Sequence, residues 1–528
     1  MTPKALPIGD TPLAIAHLDL KGVLHRPQHT LGFLEEISHL GYNTLLVEYE
    51  DIFPYKDAVF AIEEKEAWTE DFLKQFLARA AELKIEIIPL QQTLGHLEYA
   101  FRWERFRKYC MPHGFPSTLN IGSDEAKAWV RELLLEVIQA HKNSRFIHLG
   151  MDEARSLALY AEAQRVDPLA LFLDYLEELC LLCKEYGKTP LIWSDMLEDH
   201  ISAGNIERIK ALREKVILVS WDYTSGPAPL NTVRFDGWRC SKQWIENPES
   251  ADGVALYEER TWFEDWSPEI KKLIKNYQKS SVHIEPLFQA GIWKDLGFTV
   301  FGGCGVGVSS EGGTMPWYHQ RMANIDQWKV SVEKWKLDGL IFTVWGRAGG
   351  CMPPNVIFDL RWPLLAYGTG TAFFEGIPNE QFLKLLHKIG RCHENWSIEN
   401  WIREEVEALT PLVRSHHYEW TTFRLMVKVF AVQRSIKSLQ WEMERYGCGN
   451  RFMPSQWEKI HGRLQESQDK LRGQRKELLT HLDERYYGAG LEEWFEEIFD
   501  IPLAALEKMG QVMRQKQDIA KSRFGISS

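Results

Sequence analysis

Asp152 and Glu153 stand side by side near the end of RFIHLGMDEA (Arg145–Ala154), and a pair of adjacent carboxyls can do chemistry. Two such groups repel, so one tends to keep its proton at a pH where an isolated carboxyl would have lost it. A carboxyl that keeps its proton is what general acid catalysis needs. The preceding residues place the pair. Phe146, Ile147 and Leu149 are strand formers and Gly150 permits a turn, so a short apolar strand ends in the two acids. Taken alone, the pair reads first as a cap for the following helix.

The elements around this stretch favour chemistry. Strand-like runs alternate with helical ones from Leu13 onward. LAIAHLDL (Leu13–Leu20) carries His17 and Asp19, NTLLVEYED ends in Glu48, Glu50 and Asp51, and IEIIPLQQT runs into Gly95 and His96. After RFIHLGMDEA come TPLIWSDM with Trp193 and Asp195, Val216–Tyr223 ending in Trp221, Asp222 and Tyr223, Phe298–Gly307, and Gly339–Arg347 with Trp345. Gly41 and Gly187 are helix stops, while Thr69, Ser123 and the Asp167-Pro168 pair are helix starts. Eight strand–helix units predict an α/β chain whose residues 1–370 form a (β/α)8 TIM barrel. Its active site would be the ring of strand C-termini.

One interval breaks the rhythm. Between about 224 and 297 the chain is far longer than a loop and helix require, and it contains the aromatic, acidic run YEERTWFEDW (Tyr257–Trp266). Insertions at this end of a barrel shape the pocket or decorate the scaffold. From 371 to 528 the strands stop and amphipathic helical patterns take over, predicting a helical C-terminal domain packed on the barrel or on a second copy of the chain.

Composition narrows the partners. Lys and Arg total 62 against 74 for Asp and Glu, a net charge of −12 that argues against nucleic acid and anionic membranes. No signal peptide is visible after Met1 and no stretch could span a bilayer. The eight cysteines are scattered, which suits reduced thiols and a cytoplasmic location. Cys180 and Cys183 form a CxxC, but inside a helical pattern that predicts burial rather than redox or metal chemistry. The 21 Trp suggest aromatic platforms of the kind that sugar-binding sites use.

HLDLKG, LLVEYEDIFPY, IIPLQQTLGHLEY, GFPSTLN, HLGMDE, PLIWSDML and WDYT follow one another in this order, and together they resemble glycoside hydrolase family 20. The likeness covers Leu13–Tyr223, is looser at WKLDGLIFTVWGR, and stops before the helical region. It implies an exo-β-N-acetylhexosaminidase on a barrel, without cofactor or metal, that removes terminal N-acetylgalactosamine or N-acetylglucosamine from an oligosaccharide or glycoconjugate. It also implies substrate-assisted retention, in which the acetamido oxygen of the sugar attacks C1 and the protein supplies no nucleophile. Glu153 would then protonate the leaving oxygen, Asp152 would accept the acetamido N–H, and His96 would tune Glu153. Trp193, Trp221 and Trp345 would enclose the sugar or else pack in the core, Asp195 would bind a sugar hydroxyl or cap a helix, and Asp19, Glu48 and Glu50 would bind hydroxyls or form salt bridges within the barrel.

The chain departs from the family pattern in three places. The Arg expected after strand one is missing, with Lys21 nearby. Strand seven reads GGCGVG, without the Tyr-x-Asp that holds the acetamido oxygen, so Tyr223 or Tyr257 must supply that hydroxyl. Strand eight continues as AGGCM after Arg347. Two other function classes compete. One is a metal-dependent hydrolase using His17, Asp19, His148 and Asp152. The other is a non-catalytic sugar-binding barrel, whose mark would be loss of Glu153. A homodimer through the helical region is a further expectation.

Overall fold

The computed structural model describes residues 12–56, 66–112, 114–200, 205–228, 232–233, 240–241, 268–277, 279, 284–308, 311, 314–349, 352–391, 399–447 and 454–524. Within them eight parallel strands close into a barrel. They are β1 (Leu13–Asp19), β2 (Thr44–Glu48), β3 (Glu86–Leu90), β4 (Phe146–His148), β5 (Thr189–Trp193), β6 (Ile217–Trp221), β7 (Val300–Gly307) and β8 (Gly339–Val344). Each pairs with its sequence neighbours, and β1 closes the ring by setting Ile15 beside Thr44 of β2 and Leu13 beside Gly339 of β8. The TIM barrel is therefore as the sequence predicts.

Strand periodicity explains the closure. Every strand turns at least one large apolar side chain inward, and Ile15, Leu46, Ile88, Phe146, Leu191, Ile217, Phe301 and Ile341, with Leu90, Trp193 and Val219, form the barrel interior. Neighbours such as Ala16, Leu45, Val47 and Ile87 point outward and pack with the helices in a second core. The helix starts also hold. The Thr69 hydroxyl accepts from the Phe72 N–H at 3.1 Å, the Ser123 hydroxyl from Ala126 at 3.3 Å and the Asp167 carboxylate from Leu169 at 3.1 Å. Each such cap is worth about 1 kcal/mol.

The interval before β7 divides in two. Its last part is a regular barrel element, the helix Phe288–Asp295, whose Trp293 is buried and donates to Glu198 at 2.9 Å. Tyr257 and Trp266 lie outside the described residues.

Beyond the helix Trp362–Thr369, which Gly370 terminates at φ 78°, the described chain is almost wholly helical. Long helices run over His417–Gly447, Pro454–Leu482 and Ile501–Phe524. This region comes back to the barrel. Tyr486–Tyr487 pairs antiparallel with Leu24–His25, and Glu493 meets Arg347 at 2.9 Å. Gly490 lies so near Gly22 that a Cβ there would fall 2.3 Å from the Gly22 carbonyl oxygen. Cys180 and Cys183 are buried as expected, and burial pushes both thiols up, Cys180 to about 12. Among the described residues, no helix is long and apolar enough to cross a membrane.

Candidate active site

A sharp turn after β4 delivers the carboxylates. Gly150, Met151 and Glu153 have φ of 67°, 75° and 46°. Left-handed backbone at non-glycine residues is strained, so other contacts must hold it. The Gly150 N–H donates to His148 Nδ1 at 3.0 Å, and the Glu153 N–H donates to Asp195 Oδ2 at 2.9 Å. The loop after β3 supplies the third member. Gly95 passes so close that a Cβ there would lie 2.0 Å from the Asp152 carbonyl oxygen, and His96 follows at φ 52°. This close approach is the physical reason for glycine at position 95.

The imidazole of His96 sits between the two acids. Its Nε2 lies 3.2 Å from Asp152 Oδ2 and 3.5 Å from Glu153 Oε2, with Glu98 at 3.9 Å from Nδ1. Burial by itself would lower the His96 pKa, but the Asp152 charge and the hydrogen bonds outweigh it, and the group is held well above the usual range. The hydrogen bond to His96, aided by Arg155 at 2.9 Å, draws Glu153 down to about 2. This corrects the sequence argument. Repulsion within the pair does not leave the resting proton on Glu153, because a third group between the carboxyls carries it.

These residues line an open cavity of about 180 Å³ at the barrel mouth. Its other walls are Trp221, Tyr223, Trp345, Lys21, Gln92, Arg347, Val308 and Ala348. Asp152 and Glu153 are the only carboxylates among its described lining residues. Tyr223 stacks on Trp221, with ring centroids 5.1 Å apart, and meets Trp345 edge-on. Burial raises the Tyr223 pKa well above that of a free phenol, so its hydroxyl stays a donor. Asp152 Oδ1 is buried without a hydrogen-bond partner in the protein.

Other sequence-predicted residues lie behind the wall. Trp193 is fully buried between His148 and Trp345 and is not among the described residues that line the cavity. Asp195 is also buried and holds the Glu153 N–H, with the Trp221 indole N–H at 3.4 Å from its other oxygen. Asp19 and Glu48 face Lys21, whose ammonium lies 3.3 Å from Asp19, 2.8 Å from Glu48 and 3.8 Å from Glu50, and 4.8 Å above the Trp345 ring. The salt-bridge reading of these acids is thus the one that the geometry matches. His17 and His148 are fully buried, and each accepts a backbone N–H at Nδ1, from Val344 and Gly150. Among the described residues no group of three His, Cys, Asp or Glu side chains could hold a metal ion, so the metal-hydrolase reading lacks its ligand set. Tyr257, the second candidate for the acetamido hydroxyl, lies outside the described residues. Gln92, Arg155 and the guanidinium of Arg347 were not foreseen, although the polar Gln91-Gln92 doublet at the end of β3 was a signal for the first.

Part of the chain is similar to known proteins. Residues 54–240 match the model of the glycosyl hydrolase family 20 catalytic domain, a segment that includes His96, Asp152 and Glu153. The chain is 30% identical over 231 residues to hexosaminidase D of Homo sapiens, covering 41% of this chain and 46% of that protein. It is 30% identical over 223 residues to hexosaminidase D of Bos taurus, covering 40% and 63%. The chain thus spans roughly half of the curated relatives it matches. A β-N-acetylhexosaminidase structure from Bacteroides fragilis NCTC 9343 aligns with a TM-score of 0.43 at 14% identity, covering 74% of this chain and 70% of that one.

Proposed function

From a chain that carries the glycosyl hydrolase family 20 catalytic-domain pattern and is similar to hexosaminidase D, we propose an exo-β-N-acetylhexosaminidase acting by substrate assistance. It removes terminal β-linked N-acetylgalactosamine or N-acetylglucosamine. The observation that carries the reading is the carboxylate inventory of the cavity. Asp152 and Glu153, adjacent on one turn and both in contact with His96, are the only carboxylates among its described lining residues, so beyond this pair no separate carboxylate is there to act as the nucleophile of a two-carboxylate scheme.

The sugar lies against Trp221 and Trp345 with its acetamide between Asp152 and Tyr223. Asp152 Oδ1, unmatched within the protein, accepts the acetamido N–H, and the Tyr223 hydroxyl donates to the acyl oxygen. That oxygen attacks C1 and the bond from C1 to the leaving oxygen breaks. The departing electron pair takes a proton from Glu153, which has drawn it from the His96 imidazolium 3.5 Å away. Water then adds to C1 and gives a proton back to Glu153, and the bond from C1 to the acyl oxygen opens. Asp152 stabilises the cationic ring between the two steps. Asp195 positions Glu153 and Trp221. The free thiols of Cys110, Cys180, Cys183 and Cys304 support a reducing, cytoplasmic setting, and we propose the helical region as a homodimer surface.

The test is a panel of aryl β-glycosides with a thiazoline analogue of the cyclised sugar. The N-acetylhexosaminides should turn over, the β-glucoside and β-galactoside should be nearly inert, and the thiazoline should inhibit strongly because it resembles the intermediate. Brisk hydrolysis of the plain β-glucoside, or a covalent sugar trapped on an enzyme carboxylate, refutes substrate assistance.

A further inference from the structure

The helix Tyr318–Trp335, between β7 and β8, turns an unusual face to the barrel. A barrel helix ordinarily packs an apolar stripe on the strands. Here Arg321, Asn324 and Trp328, three and four residues apart on one face, are all fully buried. Their donors converge on one short stretch after β6. The Arg321 guanidinium donates to the Tyr223 carbonyl. The Asn324 amide donates to the carbonyls of Asp222 at 3.1 Å and Ser225 at 2.8 Å, while its oxygen accepts the Gly305 N–H of β7 at 2.9 Å. The Trp328 indole N–H donates to the Asp222 carbonyl at 2.9 Å.

The stretch is braced from within and from behind. The Asp222 carboxylate accepts the N–H groups of Thr224 and Ser225, both at 2.8 Å. Glu311 neutralises Arg321 at 2.9 Å and also pairs with Arg361, which donates to the Val306 carbonyl at 3.1 Å. The glycines of β7 make room for all of this. A Cβ on Gly302 would lie 2.6 Å from the Trp328 ring, and one on Gly305 would lie 2.7 Å from Arg321 and 2.8 Å from the Tyr223 Cβ. The bare GGCGVG strand and the polar helix face are therefore one arrangement. The strand has no side chains of its own for the site, and its glycines leave the space in which the helix reaches the neighbouring segment.

Buried charge of this kind is poorly explained by stability, since well-packed apolar residues serve as well or better. We propose that Arg321, Asn324 and Trp328 are positioning residues that hold Asp222–Ser225 so that Tyr223 presents its hydroxyl to the substrate acyl group. The proposal rests on the reading of Tyr223 given above. It explains how a residue after strand six takes over work that strand seven does not do.

A double-mutant cycle tests it with an aryl N-acetylhexosaminide on the full chain. Arg321→Lys keeps the charge beside Glu311 but loses the guanidinium N–H that reaches the Tyr223 carbonyl, and Trp328→Phe keeps a ring but loses its N–H. Each is expected to lower kcat about tenfold with KM changed less than about twofold, since small misplacements reduce turnover steeply. In a Tyr223→Phe background the same substitutions are expected to change kcat by less than about twofold. Equal losses in both backgrounds would show a merely structural role and overturn the positioning proposal while leaving Tyr223 in place. A Tyr223→Phe enzyme with undiminished kcat would overturn the tyrosine assignment itself, and the positioning proposal with it. If Arg321→Lys fails to fold, the Trp328→Phe cycle decides alone.

Discussion

Replacing Gly95 with alanine isolates the placement of His96 from its chemistry. The added methyl would lie 2.0 Å from the Asp152 carbonyl oxygen, while real Cβ contacts stay beyond 3.0 Å. The loop after β3 must therefore retreat by 1.0 Å or more, because the facing atom is backbone and cannot rotate away. His96 is the next residue and moves with it. Its contacts of 3.2 Å and 3.5 Å would stretch past hydrogen-bond range, and the proton bridge between the acids would fail. A displacement near 1 Å at a catalytic group reduces turnover by about 100-fold, and the strain lowers stability by about 1–3 kcal/mol. Turnover of an aryl N-acetylhexosaminide gives the first readout. NMR titration of His96 gives the second: the imidazole stays charged well past the usual range in the parent and should titrate nearer its ordinary value in the variant. Gly41→Ala is the control. Its left-handed φ of 90° makes it strained, but no atom lies within 4 Å of the new methyl, so it should lower stability and spare kcat. Undiminished turnover in Gly95→Ala with an unshifted His96 would refute the argument.

Three other outcomes are expected. Glu153→Gln should slow alkyl glycosides by about 10² to 10⁴ and activated aryl glycosides much less, because a good leaving group needs little protonation; equal losses count against Glu153 as the acid. Lys21→Met should destabilise by about 3–5 kcal/mol at neutral pH, since it strands buried carboxylates. Burial raises the pKa of Glu48 and Glu50, so the stability they permit is complete below the unfolded carboxyl pKa and is lost as pH rises through the folded values. Urea denaturation should therefore find the variant closest to the parent in acid, and a pH-independent deficit would contradict this. Asp195→Ala leaves the Glu153 N–H without its acceptor, which should lower stability by about 1–3 kcal/mol and kcat with it; wild-type kinetics would return Asp195 to a passive role.

Much of this molecule was legible in order along the chain. Alternation of apolar runs with capped helices specified the barrel, because inward and outward residues of a strand have a fixed period and Thr69, Ser123 and Asp167 supply the donors' partners locally. The acids after β4 and the Gly-His after β3 were legible too, since strand ends of a barrel face one mouth. What pairs across the barrel was not. Asp19 and Glu48 read as site acids until Lys21 is seen between them. Asp195 reads from sequence as a sugar ligand or a helix cap, yet its carboxylate accepts a backbone N–H of the β4 turn. Neighbouring carboxyls predict a proton on one of them, but His96 comes from another loop and changes where the proton rests. Sequence encodes local preference and period directly, whereas the electrostatics of a site depend on distances of a few ångströms between residues far apart in the chain, and only the closed barrel sets those.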